Sequence, residues 1–225
     1  MHHYLRESFT PLLWKPKIGW NTIDIIPYSN GYVLNLLVHY EIGVNNETII
    51  CPRTWGDTCP ICDYINKWEE TKNLPYDEIK PLTAKRRCLY NIVVQGEEQK
   101  GVQLWDVPRY YSEDAFSLLA KVPATGGPIL NSRTPSIEEI GHYLSEYHKK
   151  YDRYIDFADP IRGKSISFDY SFDSHFRHNC FRYRGQCFND RDNPISNKLL
   201  NEAYNLDVLI HRLTQEEVYT LFYHK

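Results

Sequence analysis

Four residues in the first third of the chain have the types and spacing of a metal site. Cys59 and Cys62 flank Pro60-Ile61, seven residues separate Cys51 from Cys59, and eleven separate His39 from Cys51. A Cys-x-x-Cys turn aims two thiolates at one ion while backbone amides approach the sulfurs. One further thiolate and an imidazole complete a tetrahedron, the coordination Zn2+ prefers. Four protein ligands leave no open position, so the expected role is structural and not hydrolytic. The same Cys-Pro-Ile-Cys before a helix also fits a thiol oxidoreductase with Cys59 as nucleophile and Cys62 as resolving thiol. That alternative leaves Cys51 and His39 without a purpose and lacks a surrounding βαβ pattern. Cys88, Cys180 and Cys187 read as ordinary small buried residues and not as disulfide partners.

A second pattern is the interleaving of basic and aromatic residues on probable strands. It comprises Lys85, Arg86 and Arg87 with Tyr90, then Trp105 with Arg109 and Tyr110. Later come Lys164 and the run Phe181, Arg182, Tyr183, Arg184. Single-stranded nucleic acid offers a charged backbone and exposed base faces, and such a groove answers both without reading sequence. The competing explanation for each strand aromatic is core or cross-strand packing.

The elements that must position these groups are legible. Thr22–Ile26 alternates and stops at Pro27, and Asn30-Gly31 turns the chain into a strand Tyr32–His39. A strand Arg86–Gln95 sends Leu89, Asn91 and Val93 one way and Cys88, Tyr90, Ile92 and Val94 the other, with Val102–Trp105 as its hairpin partner. Lys164–Phe172 places Ile166, Phe168, Tyr170 and Phe172 on one face, and Cys180–Phe188 returns beside it. Helices are expected at Asp63–Glu70, Ser112–Lys121, Leu199–Ile210, and after the capping boxes Ser136/Glu139 and Thr214/Glu217. Strands first and helices late predict a mainly β chain with added helices (α+β), a small barrel more than a parallel sheet.

The chain's 225 residues, 42% hydrophobic and 14% aromatic, suffice for one large domain. No apolar run approaches a membrane span, since Tyr32–Val38 is broken by Asn35. The first residues lack a basic stretch leading into an apolar one, so no signal peptide is expected, and the protein reads as soluble and intracellular. Net charge is −3. Locally, Arg162, Lys164, Arg177, Arg182 and Arg184 outnumber Asp169 and Asp173, while acidic residues gather in Asp63–Glu78 and the C-terminal helices. Local sign decides whether a groove attracts phosphate. His142, His148, His175 and His178 have no carboxylate or nucleophile at a diagnostic spacing, and Asp152, Asp156 and Asp159 read as a plain loop, so no enzyme activity is expected.

The chain resembles the zinc-containing, helix-destabilising single-stranded-DNA-binding proteins of T-even and related bacteriophages. The likeness rests on the strand ending at His39, on Cys51, on Gly56–Ile65 (GDTCPICDYI) and on Lys85–Val94. Trp14–Pro27 is similar to that family's entry strand, Ala158–Lys164 to its late Pro/Gly turn, and Asn193–Tyr223 to its closing helices. The resemblance implies a single five-stranded OB-fold barrel over residues 1–225. A zinc subdomain would be inserted at about 37–85, and a helical segment would close the chain at about 195–225. It implies one structural zinc held by His39, Cys51, Cys59 and Cys62, and it places the Lys85–Arg87 strand and Tyr183 beside the DNA groove. The implied function is cooperative, sequence-tolerant coating of single-stranded DNA in replication, recombination and repair, in the cytoplasm of the infected host. Phage replication proteins are further partners by the same resemblance. Stacking does not distinguish the sugar, so RNA stands beside DNA as a ligand. The chain departs from the family at Asp24, where a basic residue is usual. Met1–Leu13 lacks a clear equivalent of the basic N-terminal segment, and no acidic tail precedes Lys225, so strong cooperativity and tail-mediated recruitment are not expected. A zinc-braced scaffold without nucleic-acid binding is the remaining alternative.

Overall fold

The computed structural model describes residues 4–71, 75–122, 153–174 and 180–223. Its centre is a seven-stranded sheet of β1 (Gly19–Ile26), β2 (Leu34–Ile42), β3 (Glu47–Ile50), β4 (Lys85–Val94), β5 (Gln103–Pro108), β8 (Lys164–Asp173) and β9 (Cys180–Asp190). A two-residue pair, β6 (Lys121–Val122) with β7 (Arg153–Tyr154), stands apart. The sheet order is β3-β2-β4-β1-β8-β9, with β5 added to β4, and every ladder is antiparallel. The helices are α1 (Pro60–Thr71), α2 (Tyr76–Ile79), α3 (Glu113–Leu119), α4 (Asn197–Glu202), α5 (Leu206–Leu209) and α6 (Gln215–Tyr223).

β4 organises the sheet. Its first half pairs with β2 (Leu34↔Leu89 to Val38↔Lys85) and its second half with β1 (Ile23↔Val94 to Ile26↔Asn91), while β5 takes the opposite edge. The alternation read from the sequence is the one that packs. Cys88, Tyr90, Ile92 and Val94 enter a core with Trp14, Trp105, Phe116, Phe157 and Phe168, whereas Leu89 and Val93 join two smaller clusters on the other side. Asn91 is the polar exception, buried and doubly bonded to the backbone of Tyr204 at 2.9 and 3.1 Å. That clasp holds Tyr204 out of helical geometry. The single helix expected over Leu199–Ile210 is therefore two, α4 and α5, with Asn205 capping the second.

The expected closed five-stranded barrel is not formed. Among the described residues β9 pairs only with β8 and β5 only with β4, so the two edges meet through side chains, as in the Trp105–Tyr183 contact at 5.9 Å. The strand expected at Tyr32–His39 runs instead over Leu34–Ile42. Gly43 then turns it into β3 at φ +70°, where a Cβ would meet the Leu221 carbonyl at 2.8 Å. The β2–β3 hairpin and α6 thus close on each other. The Thr214/Glu217 capping box starts α6 as read, with Thr214 and Glu217 exchanging bonds of 2.7 and 3.2 Å. The Ser136 helix lies outside the described residues. No described helix is long and apolar enough to cross a membrane.

Candidate metal centre and nucleic-acid interface

Three segments deliver the four candidate metal-ligating side chains. His39 sits on β2, Cys51 follows β3, and Cys59 and Cys62 open α1. Cys51 is fixed by its own amide, which donates to Leu37 O at 2.7 Å, and the loop behind it by Thr54, whose hydroxyl accepts from Leu37 N. Arg53 pairs with Asp63 across the site, and Arg212 lies 4.5 Å over the Trp55 ring while bonding Asp57. All four ligands are buried, and their donor atoms lie within 4.8 Å of one another.

The separations can be set against a tetrahedron. Zn–S bonds of ~2.3 Å and a Zn–N bond of ~2.05 Å require S···S of roughly 3.8 Å and S···N of roughly 3.6 Å. The protein has Cys51 Sγ–Cys62 Sγ at 3.6 Å, and His39 Nε2 at 3.5 Å from Cys59 Sγ and 3.6 Å from Cys62 Sγ. A disulfide would need ~2.05 Å. Leu82 O lies 2.7 Å from His39 Nδ1, which settles the tautomer in a metal-bound state: Nδ1–H donates outward and Nε2 faces the sulfurs. The donor set, spacing and backing carbonyl fit a metal such as zinc.

Titration behaviour reflects the crowding. Burial pulls the His39 imidazole down, but hydrogen bonds with Cys59 and Cys62 outweigh it and lift the group to about 9. Hydrogen bonds with Cys51 and Cys62 hold the Cys59 thiol far below its ordinary value, and the Cys62 amide adds to this. Bonds with Cys59 and Cys62, then burial, push Cys51 up. Without a cation these groups share protons; a divalent ion replaces them. Cys59 is fully buried, which denies a macromolecular substrate the access that thiol exchange needs. Cys88 is buried as expected, whereas Cys180 and Cys187 are only half-buried on the edge strand β9, and all three are unpaired as disulfides.

The basic and aromatic residues divide into those brought together and those that are not. Lys85 and Arg86 are exposed at the start of β4 and line a cleft of about 500 Å³ with Tyr40, Pro108 and Tyr110. A second cleft, about 270 Å³, is bordered by Tyr110, Tyr111, Arg182, Tyr183 and Arg184. Tyr110, 74% exposed, is the wall common to both. Arg109 braces its loop, donating to Asp114 at 2.9 Å and Asn35 at 2.8 Å. Asp173 receives both Arg182 and Arg184, and Arg86 approaches Asp114 at 3.5 Å.

Four expected nucleic-acid residues are otherwise employed. Tyr90 and Trp105 are core side chains, with Trp105 1% exposed and stacked on Phe168 at 5.4 Å, so no base reaches either ring. Arg87 borders the Lys85–Arg86 cleft, but its guanidinium is turned into a partly buried pair with Asp106 at 2.9 Å. Lys164 pairs with Asp190 at the far end of the β8–β9 hairpin, nine residues from Asp173 and so roughly 30 Å from the Phe181 end. Asp24, the departure from the family pattern, accepts from buried Arg191 at 3.0 Å. Asp159 caps its own turn through the amides of Ile161 and Arg162.

Residue-by-residue reading misses the partners of Tyr183 and Phe181. In register, Tyr170 faces Tyr183 and Phe172 faces Phe181, with centroids 5.0 and 5.3 Å apart. Tyr170 also stacks on Phe181 at 5.0 Å, and Tyr183 touches Tyr111 at 5.2 Å. An aromatic ladder therefore runs outward from buried Trp105 to Phe172, 51% exposed. The alternation of β8 carried this signal once β9 was paired to it.

The chain matches no protein-family model and no curated protein.

Proposed function

We propose that this protein binds and protects single-stranded DNA without strong sequence preference, as the phage helix-destabilising proteins do, with one structural zinc bracing its β2–β3 lobe. In this reading the unclosed sheet is an opened OB-like barrel acting in replication, recombination and repair in the infected cell, and it does no chemistry of its own. The observation that carries the reading is the continuous strip of two clefts sharing Tyr110, with Lys85 and Arg86 at one end and Arg182, Tyr183 and Arg184 at the other. Exposed Phe181 and Phe172 extend it with flat apolar surface. Arg86 is paired with Asp114, and Arg182 and Arg184 with Asp173, which orients these three cations and also reduces their net pull on phosphate.

The test is fluorescence anisotropy of a labelled oligo-dT with zinc-loaded protein, with duplex and RNA of equal length as competitors. Four phosphate contacts, from Lys85, Arg86, Arg182 and Arg184, give a slope of log affinity on log salt of about −2.8, at about −0.7 per contact. Binding that duplex competes equally, or none at low salt, overturns the proposal. The second outcome favours a zinc-braced scaffold, a reading supported by the internal pairing of Arg87, Arg109, Arg182 and Arg184.

A further inference from the structure

Trp20 lies on β1, on the face of the sheet opposite the core, because its neighbours Asn21, Ile23 and Ile25 point inward and are buried. It is 67% exposed, and no other tryptophan in the chain approaches that. An indole carries 150–250 Å² of surface that ordinarily drives burial, so an indole left open needs a reason. The register sets Trp20 opposite Asp169, and Asp169 opposite Arg184, so indole and guanidinium share one row across three strands.

The ring has a built seat. Its six-membered end reaches across β8 to Gly185 on β9, where a Cβ would stand 3.3 Å from Trp20 Cη2. Gly185 has φ +61° and falls at the register shift of the β8–β9 ladder, a glycine bulge of the kind that re-aims side chains. The glycine therefore leaves room for that end of the indole, which a side chain on residue 185 would crowd. One end of the ring lies over Gly185, and the residue stays mostly exposed and open to a flat ligand. Arg184 connects this place to the cleft already described, since it borders that cleft and stands in the row of Trp20.

We infer that Trp20 on its Gly185 seat is a stacking platform for a nucleobase of the same single strand, reached as the strand passes Arg184 out of the Tyr110–Tyr183 cleft. The inference rests on the proposed function and extends its site to the outer face of the hairpin. Arg184 contributes a phosphate contact between the two stacking positions, and the platform takes any base, because every base has a π-face.

The experiment is an oligo-dT titration of the zinc-loaded protein followed by both anisotropy and tryptophan fluorescence. Wild-type fluorescence should be quenched in step with binding. The quench should persist in Trp55→Phe, which lies in the zinc lobe, and vanish in Trp20→Phe. Trp20→Ala, with unchanged zinc content and circular dichroism, should bind at least about fivefold more weakly, the lower bound for one lost stacked base. Wild-type affinity in Trp20→Ala together with an unquenched Trp20 overturns this inference and leaves the proposed function standing. Fluorescence that follows protein concentration and not oligonucleotide also overturns it, in favour of self-association. No oligonucleotide binding by the wild type at low salt overturns both readings.

Discussion

Replacing His39 by Ala tests the metal centre most directly. Structural zinc in small metal-bound folds contributes about 10–16 kcal/mol, and an even division among four ligands assigns roughly 2.5–4 kcal/mol to each. The loss should weaken zinc binding by about 10²–10³-fold, measured by competition against a chelating dye. The structure also says where the damage stops. Cys51, Cys59 and Cys62 pack with Ile42, Ile49, Ile61 and Val218 in one cluster, whereas Trp105, Tyr90, Phe116 and Phe168 form another that contains no ligand. Hydrogen exchange in the zinc-free protein should lose protection in β3, α1 and α6 and keep it in the second half of β4, in β5 and in β8. Zinc uptake at pH 7 should release protons, because His39 in the metal-free site is held up to about 9 and the ion must displace that proton. Affinity therefore falls as pH falls below that value. A His39→Ala protein that binds zinc within tenfold of wild type, or a zinc-free wild type with β3 and α1 still protected, would refute the reasoning.

Four further expectations are checkable on the same protein. Arg191→Met removes the cationic partner of Asp24 and its bonds to the carbonyls of Asp159 and Lys164; the carboxylate, left with the Ser165 hydroxyl as a donor, should cost about 3 kcal/mol in urea unfolding, the low end for breaking a buried pair. Burial raises the Glu113 carboxyl despite hydrogen bonds from Tyr90 and Tyr32, so its ionisation penalises the folded state. That penalty is absent below the unfolded value of about 4.3 and grows as pH rises through the folded one; Glu113→Gln should gain melting temperature relative to wild type between pH 4 and 7, and a relative loss would contradict the assignment. Thr214→Ala breaks the capping box of α6 and should cost about 1 kcal/mol, a shift of about 2–4 °C by calorimetry. Tyr110→Ala should leave stability within about 0.5 kcal/mol, because the ring is mostly exposed, yet weaken oligo-dT binding at least about fivefold in anisotropy.

The metal centre was the most legible part of the chain because its chemistry is local. Cys59 and Cys62 fix each other through one turn of helix, and only a hairpin was needed to add His39 and Cys51. What the sequence could not show was the backing. Leu82 O reaches His39 by a backbone atom that leaves no trace in residue type, and Gly43 reads as an ordinary turn until α6 is seen against it. Strand alternation likewise placed Cys88, Tyr90, Ile92 and Val94 on one face correctly. It gave no means of knowing that β4 has a partner on both edges and cover on both faces, which is why Asn91 is buried and why Tyr204 interrupts the late helix.

The division between core and surface aromatics shows why the candidate interface was harder to read than the candidate metal site. Phe168, Tyr170 and Phe172 occupy equivalent alternate positions on one strand, and nothing in their spacing separates them. Their roles differ because β8 leaves the sheet's core partway along: Phe168 stacks under Trp105, Tyr170 lies against Tyr183, and Phe172, 51% exposed, meets Phe181. Exposure rises along the ladder as cross-strand neighbours run out. A base that stacked on Phe181 or Phe172 would continue a series the core has begun, meeting rings already held in place from below. The entropy of ordering those rings is then spent in folding and not in binding, which is the physical basis for sequence-tolerant capture by a rigid platform.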